Sequence, residues 1–375
     1  MSKNMARNKQ KPDIVLLIAT SLIVLLGFII FTSVSMARMA ELSDSFEELK
    51  PGYFLFRQFL LGVLPGILVG FLLYKLPLEF IKKISPVLLV ANLIAVSLVF
   101  FPGLGLTARG ATRWIAVGGV SFQPSEFLKL TFILYLASWL SGRRLDKTKR
   151  VFSETFIAFS VVCVLISGLI LLQRDLSTLI VIMASGFGMY FSYRTPLIHV
   201  LTMGIGGLAG LIGFIATSPY RMERIRGLLE FGSDPQGISY QAQQALIAIG
   251  SGGLFGLGFG TGNQKYGFLP FAMSDSIFAA YAEEAGFIGS VLLILLFLVF
   301  AWRGVKIAKE NKDSFFSLVA IGISAWIFLQ AFIHIGAMVG ILPITGIPLP
   351  FISHGRTHFI AELAAVGVLL NISKS

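Results

Sequence analysis

Residues 14–36 read IVLLIATSLIVLLGFIIFTSVSM, an unbroken apolar run with no charged side chain. A bilayer's hydrocarbon core is about 30 Å thick and takes roughly 20 helical residues to cross. This run is long enough, and Lys3, Arg7, Lys9 and Lys11 precede it. It lacks a small-residue cleavage site and exceeds the apolar core of a signal peptide, so it reads as a retained first helix. Nine further runs of the same kind follow, at about Phe54–Tyr74, Ile84–Phe101, Ser125–Leu140, Phe156–Leu172, Leu176–Tyr193, Leu197–Thr217, Ile277–Trp302, Ser314–Val339 and Thr357–Ser373. The fourth, fifth and tenth are short, which predicts local thinning or burial inside a bundle. The expectation is an all-α polytopic membrane protein. It has about ten transmembrane helices in a single integral membrane domain, residues 1–375.

Composition agrees. Of 375 residues, 55% are hydrophobic and 13% charged, and the mean hydropathy is +0.83. Soluble domains carry about 25% charged residues. A soluble enzyme and a disordered chain are both excluded. The single cysteine, Cys163, excludes an intrachain disulfide and a cysteine metal cage.

Ten spans place both termini on one side. That side, with the tail 1–13, holds 18 of the 30 Lys and Arg residues and a balance of +12, against −1 elsewhere. Basic excess marks the cytoplasmic face. The net charge of +11 therefore reads as topology, and no nucleic-acid partner is expected. The outer face then carries 37–53, 102–124, the turn 173–175, the long segment 218–276 and 340–356. The segment 218–276, between the seventh and eighth spans, is far longer than an ordinary connection. Within it, Tyr240–Ile249 reads as a short helix lying in the interface. The glycines at 250, 252, 253, 256, 258, 260 and 262 then permit tight turns and close backbone approach to a ligand, or form a flexible linker.

Ionisable groups inside spans cost about 2.5–3.5 kcal/mol each on insertion scales and need a reason. Glu126 and Lys129 share a helix face near the outer end of the fourth span. They are either a self-neutralising pair or the lining of an outward cavity with Lys129 available to a phosphate. Arg57 either snorkels to the interface or serves a site. Arg109 and Arg113 flank an outer loop beside Trp114, which is an interfacial anchor or a substrate contact. Arg174 and Asp175 form a tight outer turn. Asp275, where the long loop meets the eighth span, is either a helix N-cap or a partly desolvated carboxylate able to act as a general base. Glu283 and Glu284 follow, with at least one facing the interior. Lys265 offers a cation to an anionic substrate. His199, His334, His354 and His358 make no metal pattern.

These motifs, in order, resemble the shape, elongation, division and sporulation family, the FtsW, RodA and SpoVE group. The resemblance covers nearly the whole chain. It rests on GATRWIAVGGVSFQPSEFLKL at 110–130, QRDLST at 173–178, SPYRMERI at 218–225 and GISYQAQQALIAIGSGGLFGLGFG at 237–260. QKYGFLP at 264–270, SDSIFAAYAEEAGFIG at 274–289 and ILPITGIPLPFIS at 341–353 complete it. The QKY…LP wording is nearer the division branch. The chain departs from the family pattern at Phe271 and in MSDS at 273–276. It departs again at Arg174 and Ser177 of the turn, at His354-Gly355-Arg356 after FIS, and at Glu362, where the family usually has Asn. Arg356 and Glu362 are expected to compensate one another electrostatically.

The resemblance implies a peptidoglycan glycosyltransferase that polymerises lipid II, the undecaprenyl-pyrophosphate-linked disaccharide pentapeptide, at the outer face of the bacterial cytoplasmic membrane. Inverting displacement would use Asp275 as catalytic base. Arg57, Arg113 and Lys129 would stabilise the pyrophosphate, with Lys265 in reserve. Glu126 would orient Lys129, and Trp114, Asp175 and Ser353 join the substrate-binding set. No cofactor is required by the sequence; by family analogy a divalent cation, Mg or Mn, could share the task. The implied partners are a class B penicillin-binding protein transpeptidase, other division proteins and membrane lipid. A lipid II flippase and a non-catalytic division scaffold are the rival readings.

Overall fold

Asp13 sets where the first helix begins. Its Oδ1 accepts the Leu16 N–H at 2.8 Å, satisfying one of the donors a helix start leaves open. The chain then stays helical through α1, Ile14–Ser43. This computed structural model describes residues 11–43, 52–108, 111–118, 120–142, 154–193, 196–217, 222 and 238–375. Helix α2 runs over Tyr53–Lys75 and widens into a π-turn at Phe59–Val63. Pro65 follows; its missing N–H and its ring break the regular ladder one turn back, which is where the π-turn sits.

The remaining helices are α3 Leu78–Leu98, α4 Pro124–Ser141, α5 Glu154–Leu172, α6 Leu176–Ser192, α7 Leu197–Ala216, α8 Ile238–Ser251, α9 Ile277–Glu310, α10 Ser314–Met338 and α11 Arg356–Ile372. Each expected span has its helix. Six, namely α1, α2, α3, α5, α9 and α10, are long and apolar enough to cross a membrane on their own. Helix α3 starts earlier than its apolar run, because Glu79, Lys82 and Lys83 continue the helix beyond the hydrophobic stretch. Of the three short spans, α4 and α11 are almost wholly buried in the bundle. Helix α5 instead turns Val161, Val164 and Leu165 outward. With Leu68, Phe71, Val87 and Leu292 these form an apolar exterior suited to acyl chains.

The helical bundle carries one small sheet that the sequence reading did not foresee. The outer loop 102–124 folds as a three-stranded antiparallel sheet: β1 Gly105–Ala108, β2 Ala111–Val117 and β3 Val120–Phe122. The strands are too short for a period-two pattern to stand out beside the spans.

Helix α10 packs on α9, α6 and α4, and α11 packs most closely on α2. There a Cβ on Gly70 would lie 2.6 Å from the Leu363 carbonyl oxygen. Only a glycine lets the two backbones come so near, the small-residue packing that holds helices together in lipid. The chain ends meet: Asp13 N–H donates to Ser373 Oγ at 3.0 Å, and Arg303 pairs with Asp13. Both described ends therefore share one end of the bundle, as an even number of spans requires. The opposite end gathers the sheet, the 252–276 segment and the 340–355 loop.

Candidate functional site

The eighth span does not start as an uninterrupted helix. Gly286 (φ 69°, ψ −169°) breaks α9 after its first turns, and the glycine-rich stretch 252–258 fills the break. Leu257 N–H donates to Glu283 O and Gly258 N–H to Glu284 O, both at 3.0 Å. Phe287 and Ile288 N–H groups donate to Gly253 O and Leu254 O. Irregular backbone is tolerated at membrane depth only when its polar groups are satisfied in this way. A Cβ on Gly256 would stand 2.1 Å from Glu284 O. The close approach expected of these glycines is thus to α9, and the flexible-linker alternative falls.

The side chains of the break lock the rest of the loop. Glu283 accepts the N–H groups of Asn263 (2.8 Å) and Gln264 (3.1 Å). Glu284 pairs with Lys265 at 2.5 Å, and both bond Ser33 of α1. Lys265 and Glu284 are buried, so Lys265 is not the spare cation the sequence suggested. Helix α8, read as interfacial, docks Ala245 and Ala248 into the interior against α9. Residues 218–221 and 223–237 of the long segment, like Arg109, lie outside the described residues.

Asp275 sits at the end of this assembly, half-buried, in a turn closed by Ser274 and Ser276 N–H groups on Phe271 O. The N-cap position of α9 belongs to Ser276, whose hydroxyl donates to Pro270 O. Asp275 is therefore not that cap. Its carboxylate lies beside Gly346, where an added Cβ would be 3.7 Å from Oδ2. Ser353 Oγ donates to Ser274 O at 2.8 Å and accepts the Leu349 N–H, while His354 N–H donates to Met273 O. Ser353 is fully buried and fastens the 340–355 loop to the turn bearing Asp275.

That loop is held from below. Gln330 Nε2 donates to Pro348 O (3.0 Å) and to Glu362 Oε1 (3.1 Å). Glu362 Oε2 accepts Phe351 N–H at 2.8 Å. Lys129 Nζ donates to Glu126 (2.8 Å) and to Gln330 Oε1 (2.9 Å), and lies 5.0 Å above the Trp326 ring. Glu126 and Lys129 are the self-neutralising pair, extended into a buried network that reaches the loop backbone. Glu362 belongs to that network. Arg356 instead donates to Ser121 Oγ on β3. Among the described ion pairs none joins Arg356 to Glu362, so the compensation expected between them is not made. Gln330 was missed; a lone amide inside an apolar span was the available signal.

Arg113 lies on β2 and Trp114 beside it, so the strand's alternation sends them to opposite faces. Arg113 donates to Gln173 O and Arg174 O and lies 3.7 Å from Asp175. Asp175 also accepts from Thr178 and Gln123. The turn 173–175 thus clamps the sheet. Trp114 is half-buried and pairs across the sheet with Leu106. Arg57 stays near the rim, its Nη1 donating to Tyr53 OH at 2.5 Å. Burial, then the charges of Arg356 and Arg57, hold the His354 imidazole down to about 4.

Residues 13–375 match the family model FTSW_RODA_SPOVE, described as cell cycle protein. The chain belongs to this family. Its SpoVE-type relative, Stage V sporulation protein E of Bacillus subtilis, is 38% identical over 372 residues, 99% of each chain. A probable peptidoglycan glycosyltransferase FtsW of a Geobacter species is 35% identical, covering 96% of each. Among solved structures, rod shape determining protein RodA of Thermus thermophilus superposes with a TM-score of 0.70 at 26% identity, over 99% of this chain and 98% of that one. A chain from a structure described as structural coordination of polymerization and crosslinking by a peptidoglycan synthase complex gives 0.78 at 27%, over 96% and 97%. The FtsW, RodA and SpoVE group is thus represented in both sequence and fold, and this member is a multi-pass membrane protein.

Proposed function

We propose that this protein is a peptidoglycan glycosyltransferase that polymerises lipid II, with Asp275 as the general base. It would act at the outer face of the bacterial cytoplasmic membrane with both termini in the cytoplasm. The observation that carries the reading is a carboxylate at the rim of a lipid-facing bundle, on a turn fixed by the 340–355 loop, with Ser353 bonded to Ser274 O and Gly346 beside the carboxylate. The donor carries an α-linked diphosphate, and the product linkage is β-1,4, so one inverting displacement suffices. Asp275 takes the proton of the acceptor 4-hydroxyl. That oxygen attacks the anomeric carbon, and the bond to the diphosphate breaks with the electron pair leaving on phosphate oxygen. The relatives named as glycosyltransferases support this chemistry. The peptidoglycan synthase complex among the structural neighbours supports a transpeptidase partner of the class B penicillin-binding type.

Among the described residues no three His, Cys, Asp or Glu side chains gather, so no step is assigned to a protein-held metal. Positioning of the base is the task of Ser353 and of the Glu126–Lys129–Gln330–Glu362 network beneath the loop.

The test is polymerisation of labelled lipid II by the purified full-length protein in proteoliposomes. Asp275→Ala is expected to lower the rate by about 10²–10⁴-fold with an unchanged melting temperature. Polymer formation at the wild-type rate would overturn the assignment. A wild type that only moved lipid II between leaflets would overturn the activity.

A further inference from the structure

Four cations were available to an anionic ligand by sequence: Arg57, Arg113, Lys129 and Lys265. The structure commits three of them to carboxylates, to Asp175, Glu126 and Glu284 respectively. Arg57 has no carboxylate partner among the described residues, and a second guanidinium joins it. Gln58, next to Arg57, accepts Gly355 N–H at 3.2 Å, and Gly62, a turn further on, would place a Cβ 3.4 Å from Arg356 Cα. The start of α11 is thereby fixed against the outer end of α2. Arg356 Nη2 donates to Ser121, but its Nη1 is buried and has no hydrogen-bond partner among the described residues. Arg356 also has no carboxylate partner among them. Two like charges held together, one with an unused buried donor, are unfavourable unless an anion completes them.

The place is informative. Arg356 follows His354, whose N–H holds Met273 O, and Ser353, whose hydroxyl holds Ser274 O. The arginine pair therefore borders the Asp275 turn, at the rim where a lipid headgroup arrives.

We propose that Arg356 and Arg57 form a phosphate-binding subsite for a lipid-borne phosphate beside Asp275, with the diphosphate of a polyprenyl-linked donor as its occupant. The identity of that donor rests on the glycosyltransferase reading above. A planar guanidinium offers two parallel donors to phosphate oxygens, and Arg356 brings its free Nη1 to bear where Arg57 alone would hold the group loosely. Charge would then develop on the leaving diphosphate against two fixed cations.

Binding, not turnover, tests the subsite. Full-length wild type, Arg356→Gln and Arg57→Gln are placed in phosphatidylcholine nanodiscs and titrated with undecaprenyl diphosphate, with undecaprenol as the uncharged control. Each variant should bind the diphosphate roughly tenfold or more weakly, bind undecaprenol as wild type does, and melt at the wild-type temperature. Arg356→Lys should recover part of the loss. A parallel set in phosphatidylglycerol nanodiscs measures co-purifying phospholipid by native mass spectrometry. Loss of phosphatidylglycerol alone would overturn the donor as occupant and assign the pair to the bilayer. No change in either ligand would overturn the subsite. Asp275→Ala should still bind undecaprenyl diphosphate. If that variant still polymerised while Arg356→Gln lost the diphosphate, the base assignment would fall and the subsite would stand.

Discussion

Lys265 and Glu284 illustrate how a side chain's job depends on a contact that sequence does not display. Both are removed from water, and Glu284 Oε2 is buried without a partner among the described residues. Removing one partner of such a pair costs about 3–5 kcal/mol because the other charge is stranded, whereas replacing both by apolar groups is often close to neutral. Lys265→Met should therefore lower stability by about that amount, and Lys265→Met/Glu284→Leu by clearly less. Unfolding in detergent micelles measures both. Equal losses would show that the ion pair is not what holds the loop. The place of Asp275 at the loop–helix junction was legible, whatever its role, and so was the pairing of Glu126 with Lys129 from their spacing of three. Lys265 was misread because its partner lies beyond a helix break that no periodicity announces. Arg356 was read as a departure after FIS that would compensate Glu362; its contacts lie instead on β3 and against α2, which sequence places far away.

At the scale of the element, the broken α9 and the 252–258 stretch form one hydrogen-bonded unit. Gly256 has φ +80° and Glu284 O where a Cβ would go, whereas Gly250 in α8 has open space around it. Gly256→Ala should cost at least about 1–3 kcal/mol through backbone strain alone, and it should open the loop to protease. Gly250→Ala should be neutral or slightly stabilising, as in any helix. Comparing the melting temperatures and cleavage rates of the two variants decides this, and equal behaviour would refute the docking. The spans themselves were readable because apolar length is a blunt signal. The sheet in 102–124 was not, since strands of three to seven residues carry little pattern.

For the molecule as a whole, the two ends differ in what they do. One is stapled by Asp13, Arg303 and Ser373, and the other presents the Asp275 rim. In the orientation proposed above, which rests on the basic excess, the stapled end faces the cytoplasm. The sole cysteine, Cys163, is buried, so single cysteines can report sidedness without background. On intact cells a membrane-impermeant maleimide should label Thr261→Cys, which lies exposed on the long loop, and spare Lys312→Cys, exposed between α9 and α10. The reverse labelling would invert the topology. A helix for each of ten apolar runs and the meeting of the two described ends followed from counting those runs; which residues meet at the rim did not, because helix neighbours are chosen by packing. The break at Gly286 also constrains chimeras. A long outer segment grafted from a relative would arrive without the backbone groups it was shaped to meet, so loop and opening half-helix are inherited as a single exchangeable cassette.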